Sequence, residues 1–321
     1  MIDTPFRERY ETAAAETPVP RDVEAAARDA KQGDMEAAHR LAASFAHVGF
    51  AGPEWISAVY DAFALGWLGA SMPPSHVVPA LGAAALPPPD LWDAFWQIIA
   101  DAGPAMLAGE ITARVAALGG LTAPSFQDRA EAAANIHPGA AGAAERAMPE
   151  PLTLAMLAGY PAGSLADSFR RLIVDNKFDL EVLDREAIGL GALPRALRYL
   201  NTRILQMHDI WHLVAGYRTT VLHEIAISSF QLAQFGHNYS AMFLATVATA
   251  LAVAEGPGLP VVLHVMADAW RHGRASPSFM AIAWEEEWRL SVADIRRRHA
   301  IQPFESLFPA DLIEQLRSAA E

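Results

Sequence analysis

The 321-residue chain contains no cysteine, which excludes disulfides, thiolate zinc sites and cysteine nucleophiles. Any metal must be held by imidazole and oxygen. Basic residues are also scarce: 24 Lys and Arg stand against 37 Asp and Glu, for a formal net charge of −13. No broad basic face is therefore expected for nucleic acid or for anionic lipid held by bulk electrostatics, and only a local basic patch stays open. Alternating strand patterns longer than a few residues are missing and β-branched runs are few, while alanine is abundant. The expected fold is all-α, a multi-helix globular bundle. Long apolar runs are lacking too, since the uncharged stretch 241–254 falls short of the roughly 20 residues a membrane span needs. The opening M-I-D-T-P-F-R-E-R-Y-E-T has no apolar h-region and is acidic, unlike a transit peptide, so a cytoplasmic location is expected.

Apolar residues make up 52% of the chain and charged residues 19%, the balance of a well-buried globular protein. Pro18 to Pro20 closes a polar leader, Asp22 is a candidate cap for a first helix and Asp34 for a second through Leu41 and Phe45. Ile56, Val59, Tyr60, Phe63 and Trp67 form an aromatic helical stripe that reads as core. Pro74 and Pro87 flank a short apolar segment, and Leu91 to Ile99 mark a buried helix. After Gly103-Pro104 another helix is expected from Met106 to about Leu118. The Gly/Ala-rich stretch from His137-Pro138-Gly139 to Pro151 is the expected boundary between a helical region 1–145 of unknown role and a metal-binding helical domain 146–321.

Residue type and spacing imply chemistry in one place, residues 208–224, H-D-I-W-H-L-V-A-G-Y-R-T-T-V-L-H-E. On a helix, His208, Asp209 and His212 fall within a sector of roughly 100°, with the imidazoles one turn apart. Glu224 joins them only if the chain turns in between. Gly216 suits a left-handed helix end, and Thr219 or Thr220 can cap a second helix with Glu224 in its first turn. The expectation is a metal site on an αα-hairpin, with His208, Asp209, His212 and Glu224 as ligands of one divalent ion. Zinc comes first for such a mixed set, with iron, manganese or magnesium admitted. Further on, His264, Asp268 and His272 repeat every fourth residue as a polar line, read either as a proton-transfer line beside the metal or as a solvated face. Arg271 and Arg274 beside them can hold a carboxylate or phosphate.

The motif H-D-x-x-H, eleven residues, then Glu resembles that of the coenzyme Q biosynthesis protein 4 family, which acts in ubiquinone synthesis. A second block supports the resemblance: Gly273-Arg274, Trp284-Glu285 with Trp288, Ile295-Arg296 and Ile301-Gln302-Pro303. A third runs from about Phe169 to Leu200, so that the likeness covers roughly residues 150–309. This chain has His223 where many members have glycine before the motif Glu. The resemblance implies a polyprenylated aromatic substrate with its head at the metal and its tail in a dry groove, walled by residues 241–254 and by Trp211, Phe230, Phe243 and Trp284. It also implies oxidative removal of the C1 carboxylate of a polyprenyl 4-hydroxybenzoate-type intermediate, with hydroxylation there. Asp209 and Glu224 would move protons, while Arg271 or Arg274 would orient the carboxylate. The alternative is a non-catalytic lipid-binding scaffold that gathers the other ubiquinone-biosynthesis proteins. A homo-oligomer, peripheral on the inner face of a membrane, is expected in either case.

Overall fold

The computed structural model describes residues 2–73, 82, 84–101, 108–181, 185–186 and 189–319, and of residues 108–110 the backbone only. The expected break at Gly103-Pro104, the helix start at Met106 and most of the segment between Pro74 and Pro87 lie outside these. Among the described residues every regular element is helical, as the missing strand patterns require. Helix α1 (Thr4–Ala15) replaces the expected polar leader. Asp3 caps it by accepting from the Phe6 N–H at 2.9 Å, and it buries Tyr10 and Ala14. Next come α2 (Pro20–Lys31), which starts on proline with Asp22 in its first turn, and α3 (Met35–Phe50), capped by Asp34. The aromatic stripe forms α4 (Ile56–Leu68), with Tyr60, Phe63 and Trp67 buried.

Then follow α5 (Pro89–Asp101), α6 (Ala108–Leu118), α7 (Pro124–Ile136), α8 (Leu154–Ala158) and α9 (Leu165–Asn176). The motif lies on α10 (Arg195–Ala215) and α11 (Val221–Phe235). After these come α12 (Asn238–Ala254), α13 (Gly258–Ala275), α14 (Trp284–Glu287), α15 (Val292–His299) and α16 (Leu312–Ser318). None of the described helices is long and apolar enough to cross a membrane.

Helix α11 lies along α13, α12 packs on α3, and α13 also packs on α4. Among the first four helices, α3 thus covers α12 and α4 covers α13, in one core running from Tyr10 to Phe304. Close approach of α13 to α11 depends on Gly273, where a Cβ would lie 2.7 Å from the Ala233 Cβ and 2.8 Å from the Phe230 carbonyl oxygen. Polar ties reinforce the joint. Asp61 on α4 accepts from the Trp270 Nε1–H at 2.8 Å and from the Arg274 Nε–H at 3.1 Å, and Tyr10 Oη meets Thr249 Oγ1 at 2.5 Å.

His47 on α3 is fully buried, with Nδ1 3.0 Å from the Ala14 carbonyl oxygen. Burial, partly offset by that bond, pushes its pKa down to about 4. In the unfolded chain imidazole titrates near 6.5, so the native state is penalised as the pH falls through this window. His47 leaves stability intact above about pH 6.5 and removes roughly 3 kcal/mol by pH 4. Urea midpoints of wild type and His47→Asn, compared from pH 7.5 to 4.5, are expected to converge on acidification. Parallel curves would assign the acid sensitivity to other groups.

Candidate metal centre

Helix α10 ends at Gly216, which takes the left-handed conformation with φ 84°. A side chain there would be strained, and its Cβ would lie 2.8 Å from the Pro303 Cβ. The end of α10 is held from outside. Arg296 donates through Nε to the Val214 carbonyl at 2.8 Å and through a terminal nitrogen to the Leu213 carbonyl at 2.9 Å, and the Phe304 N–H bonds the Ala215 carbonyl at 2.7 Å. Glu285 accepts from Arg203 at 2.8 Å. Of the C-terminal block seen in the sequence, Glu285, Arg296 and Pro303 therefore brace α10, while Gly273 and Arg274 join α13 to α11 and α4.

Thr220 occupies the N-cap position of α11, but its hydroxyl donates to the Ala310 carbonyl at 2.7 Å. The capping acceptor is Glu314, which takes the Val221 N–H at 2.8 Å. His223 Nδ1 accepts the Arg218 N–H at 2.9 Å and so closes the turn.

The turn brings His208, His212 and Glu224 together, with one donor atom from each within 4.8 Å of the others. The two Nε2 atoms are 3.0 Å apart. Glu224 presents Oε2 to His208 Nε2 at 3.3 Å and Oε1 to His212 Nε2 at 3.4 Å. Ligands at the 2.0–2.1 Å usual for zinc would stand about 3.3 Å apart along a tetrahedron's edge, so these spacings fit one ion. Two neutral imidazoles face to face must otherwise share a proton. Burial pushes the His208 pKa down, but the bond to Glu224 and the charges of Glu224 and Asp209 outweigh it, and the net shift is upward. Burial raises the Glu224 pKa, yet His212 and His208 carry it well below the usual carboxylate range. Both directions describe a site that favours positive charge. Asp209 is not one of the three clustered donors. As the residue after His208 it is turned about 100° away, and it lines the adjoining cavity.

That cavity has a volume of about 900 Å³. His208, Asp209, Glu224 and Gln231 line one part, and Leu197, Ile204, Leu205, Tyr239, Met242 and Phe243 supply apolar wall. Of the four expected aromatic wall residues, Phe243 alone is among these. Trp211 packs on Phe235 with ring centres 5.0 Å apart, Phe230 packs on Phe279, and Trp284 donates its indole N–H to the Phe279 carbonyl. These three are core.

The cavity is not lined by Arg271, which pairs with Asp268, or by Arg274, which pairs with Asp61. Nor does the line of His264, Asp268 and His272 reach it; His272 instead bridges the Tyr217 hydroxyl and the Gln302 carbonyl, each at 2.8 Å. Among the described residues the lining contains one lysine or arginine, Lys177, against Asp179, Asp209, Glu224 and Glu314. Sequence reasoning passed over Lys177, Glu314 and Gln231. Only Gln231 carried a signal, lying seven residues and about two turns after Glu224 on the same face of the helix.

Fold and cavity define the class: an all-helical protein in which two histidines and one glutamate converge beside a cavity that His208 and Glu224 line. Residues 98–305 match the model of the family described as coenzyme Q (ubiquinone) biosynthesis protein Coq4, and the chain belongs to that family. The match begins well before residue 150 and takes in α6 and α7, whose Thr112, Ala116, Phe126 and Gln127 help to line the cavity.

Similar proteins include the mitochondrial ubiquinone biosynthesis protein COQ4 homologs of Drosophila ananassae, 26% identical over 44% of this chain and 51% of that protein, and of Danio rerio, 23% identical over 53% and 59%. The chain thus spans between half and three-fifths of the curated relatives it matches. A crystal structure from Nostoc punctiforme PCC 73102, of a protein named for ubiquinone biosynthesis, has 25% identity and a TM-score of 0.50 over 66% of this chain and 97% of that one.

Proposed function

We propose that this protein acts in ubiquinone synthesis by removing the C1 carboxylate of a polyprenyl 4-hydroxybenzoate-type intermediate and placing a hydroxyl there. The observation that carries the reading is that the cluster of His208, His212 and Glu224 meets the cavity through His208 and Glu224, with His212 buried behind them. Those three residues would hold a divalent ion, zinc or iron(II) suiting the donor set best, and the ion would supply Lewis acidity at the substrate's head. The C1–carboxyl bond breaks with loss of CO₂ and a C1–oxygen bond forms to the oxygen of a water molecule, while dioxygen accepts the two electrons and two protons released and leaves as hydrogen peroxide.

The chain's own residues supply the rest. Asp209, beside the cluster but outside it and on the cavity wall, would carry a proton to or from the ring. Four carboxylates in the lining repel an anionic substrate, so the substrate carboxylate must be met by the ion or by Lys177, which takes the part expected of Arg271 or Arg274. The apolar wall accepts the prenyl tail, and Phe178, which lines the cavity and remains 41% exposed, offers an apolar rim for a lipid arriving from a membrane surface. Action beside other ubiquinone-biosynthesis proteins belongs to the same proposal.

The test is to give metal-loaded protein the prenylated hydroxybenzoate under air and to measure CO₂ and the hydroquinone. Product from wild type that is lost in His212→Ala supports catalysis. Absence of product, together with a His212→Ala variant that still restores ubiquinone in cells lacking the gene, would overturn it and leave the scaffold reading.

A further inference from the structure

Gln231 is 97% buried, lies on the same face of α11 as Glu224, and brings its side-chain amide nitrogen to 2.7 Å from His208 Nδ1. Among the described residues it is the one side chain bonded to that nitrogen, whereas Nε2 of the same ring faces Glu224 and His212. In a neutral imidazole one nitrogen carries the proton and the other the lone pair, and the partner of the first decides what the second can do. As the groups stand, the amide N–H donates to Nδ1. Nε2 then holds the proton, which suits an ion-free cluster in which Nε2 meets a carboxylate. An ion on Nε2 demands the opposite tautomer, with Nδ1–H now needing an acceptor. An amide meets both demands at one position, because a half-turn about its last bond exchanges N–H for carbonyl oxygen.

We propose that Gln231 is a positioning residue that holds the His208 ring and lets it exchange tautomers, its amide turning over when a divalent ion enters. The proposal rests on the metal reading above and adds a residue outside the ligand set. A glutamate at this position only accepts, so it fixes the proton on Nδ1 and leaves Nε2 ready for the ion. Leucine or methionine offers neither role.

The experiment has two arms. In ion-free protein at pH 9, with ¹⁵N-labelled histidine, ring nitrogen shifts should show His208 protonated on Nε2 in wild type, on Nδ1 in Gln231→Glu, and as a mixture in Gln231→Leu. In chelator competition, zinc affinity should fall roughly 10–100-fold in Gln231→Leu, the range usual for a lost partner of a ligating histidine, and return to wild type or better in Gln231→Glu. Gln231→Met carries the comparison if the leucine variant does not fold. The same tautomer in all variants, or a leucine or methionine variant within twofold of wild type in affinity, overturns the switch alone. A wild type that takes up no zinc overturns the switch and the metal reading together.

Discussion

Zinc affinity in Glu224→Gln is expected to fall by about 10³-fold or more, and zinc is expected to stop raising the melting temperature of that variant. The substitution keeps the shape of the side chain and removes only its charge. Two unit charges 4 Å apart gain about 4 kcal/mol at an effective dielectric of 20, equivalent to roughly 10³-fold in affinity, and a divalent ion in direct contact has more to lose. Among the described residues Glu224 is also the one donor of the cluster that α11 supplies, so the variant tests the hairpin as well as the donor. His212→Ala should behave alike, since its imidazole is 2% exposed and faces both other donors. In wild type, protons compete with the ion for both imidazoles, so zinc should be released on acidification. Calorimetric titration of the three proteins with zinc is the measurement. A Glu224→Gln variant that binds zinc as wild type does would move the ion elsewhere.

Asp61→Ala is expected to destabilise the protein by about 3–5 kcal/mol, the usual cost of leaving half of a buried ion pair unmatched. The side chains of Asp61 and Arg274 are 7% and 5% exposed, and the same carboxylate takes the Trp270 indole N–H. Removing it takes the charge partner from Arg274, whose terminal nitrogen still donates to the Pro73 carbonyl at 3.3 Å, and the acceptor from the Trp270 indole N–H, where α4 meets α13. A double variant, Asp61→Leu with Arg274→Met, should regain most of the loss, because both charges then leave the core together. Urea unfolding of the three proteins decides it. A loss below about 1 kcal/mol in the single variant would mean that Arg274 finds water or another acceptor.

The donor cluster was legible because its cause is local. His208 and His212 share a helix face by spacing alone, and Gly216 announces the turn that returns Glu224 to them. What was not legible depends on partners far along the chain. Arg274 beside a motif suggests anion binding until Asp61, 213 residues away, proves to hold it. Trp211 and Trp284 look like cavity walls because aromatic residues near a motif resemble a lining, but each packs around Phe279. Helix α1 looks like a polar leader in the sequence because its buried face is little more than Tyr10 and Ala14. Glu314, which supplies the cap of α11 from the far end of the chain, left no mark in the motif. The C-terminal block was visible as a pattern, and only the structure gives its cause: Arg296 and Pro303 brace the end of α10.

The pairing of α1 and α3 with α12 has a consequence for synthesis. Tyr10 and its partner Thr249 are 239 residues apart, and at 5–20 residues per second a ribosome needs roughly 10–50 s to make what lies between them. During that interval the face of α3 that packs on α12 in the finished protein, where Gly49 lies against Ala241 and Met242 and His39 meets the Ala252 carbonyl, has no α12 to cover it. Closure of so long a loop comes late and slowly. The nascent chain therefore spends much of its time on the ribosome with an uncovered apolar face, the kind of surface that chaperones bind, and its yield should depend on them more steeply than its final stability does.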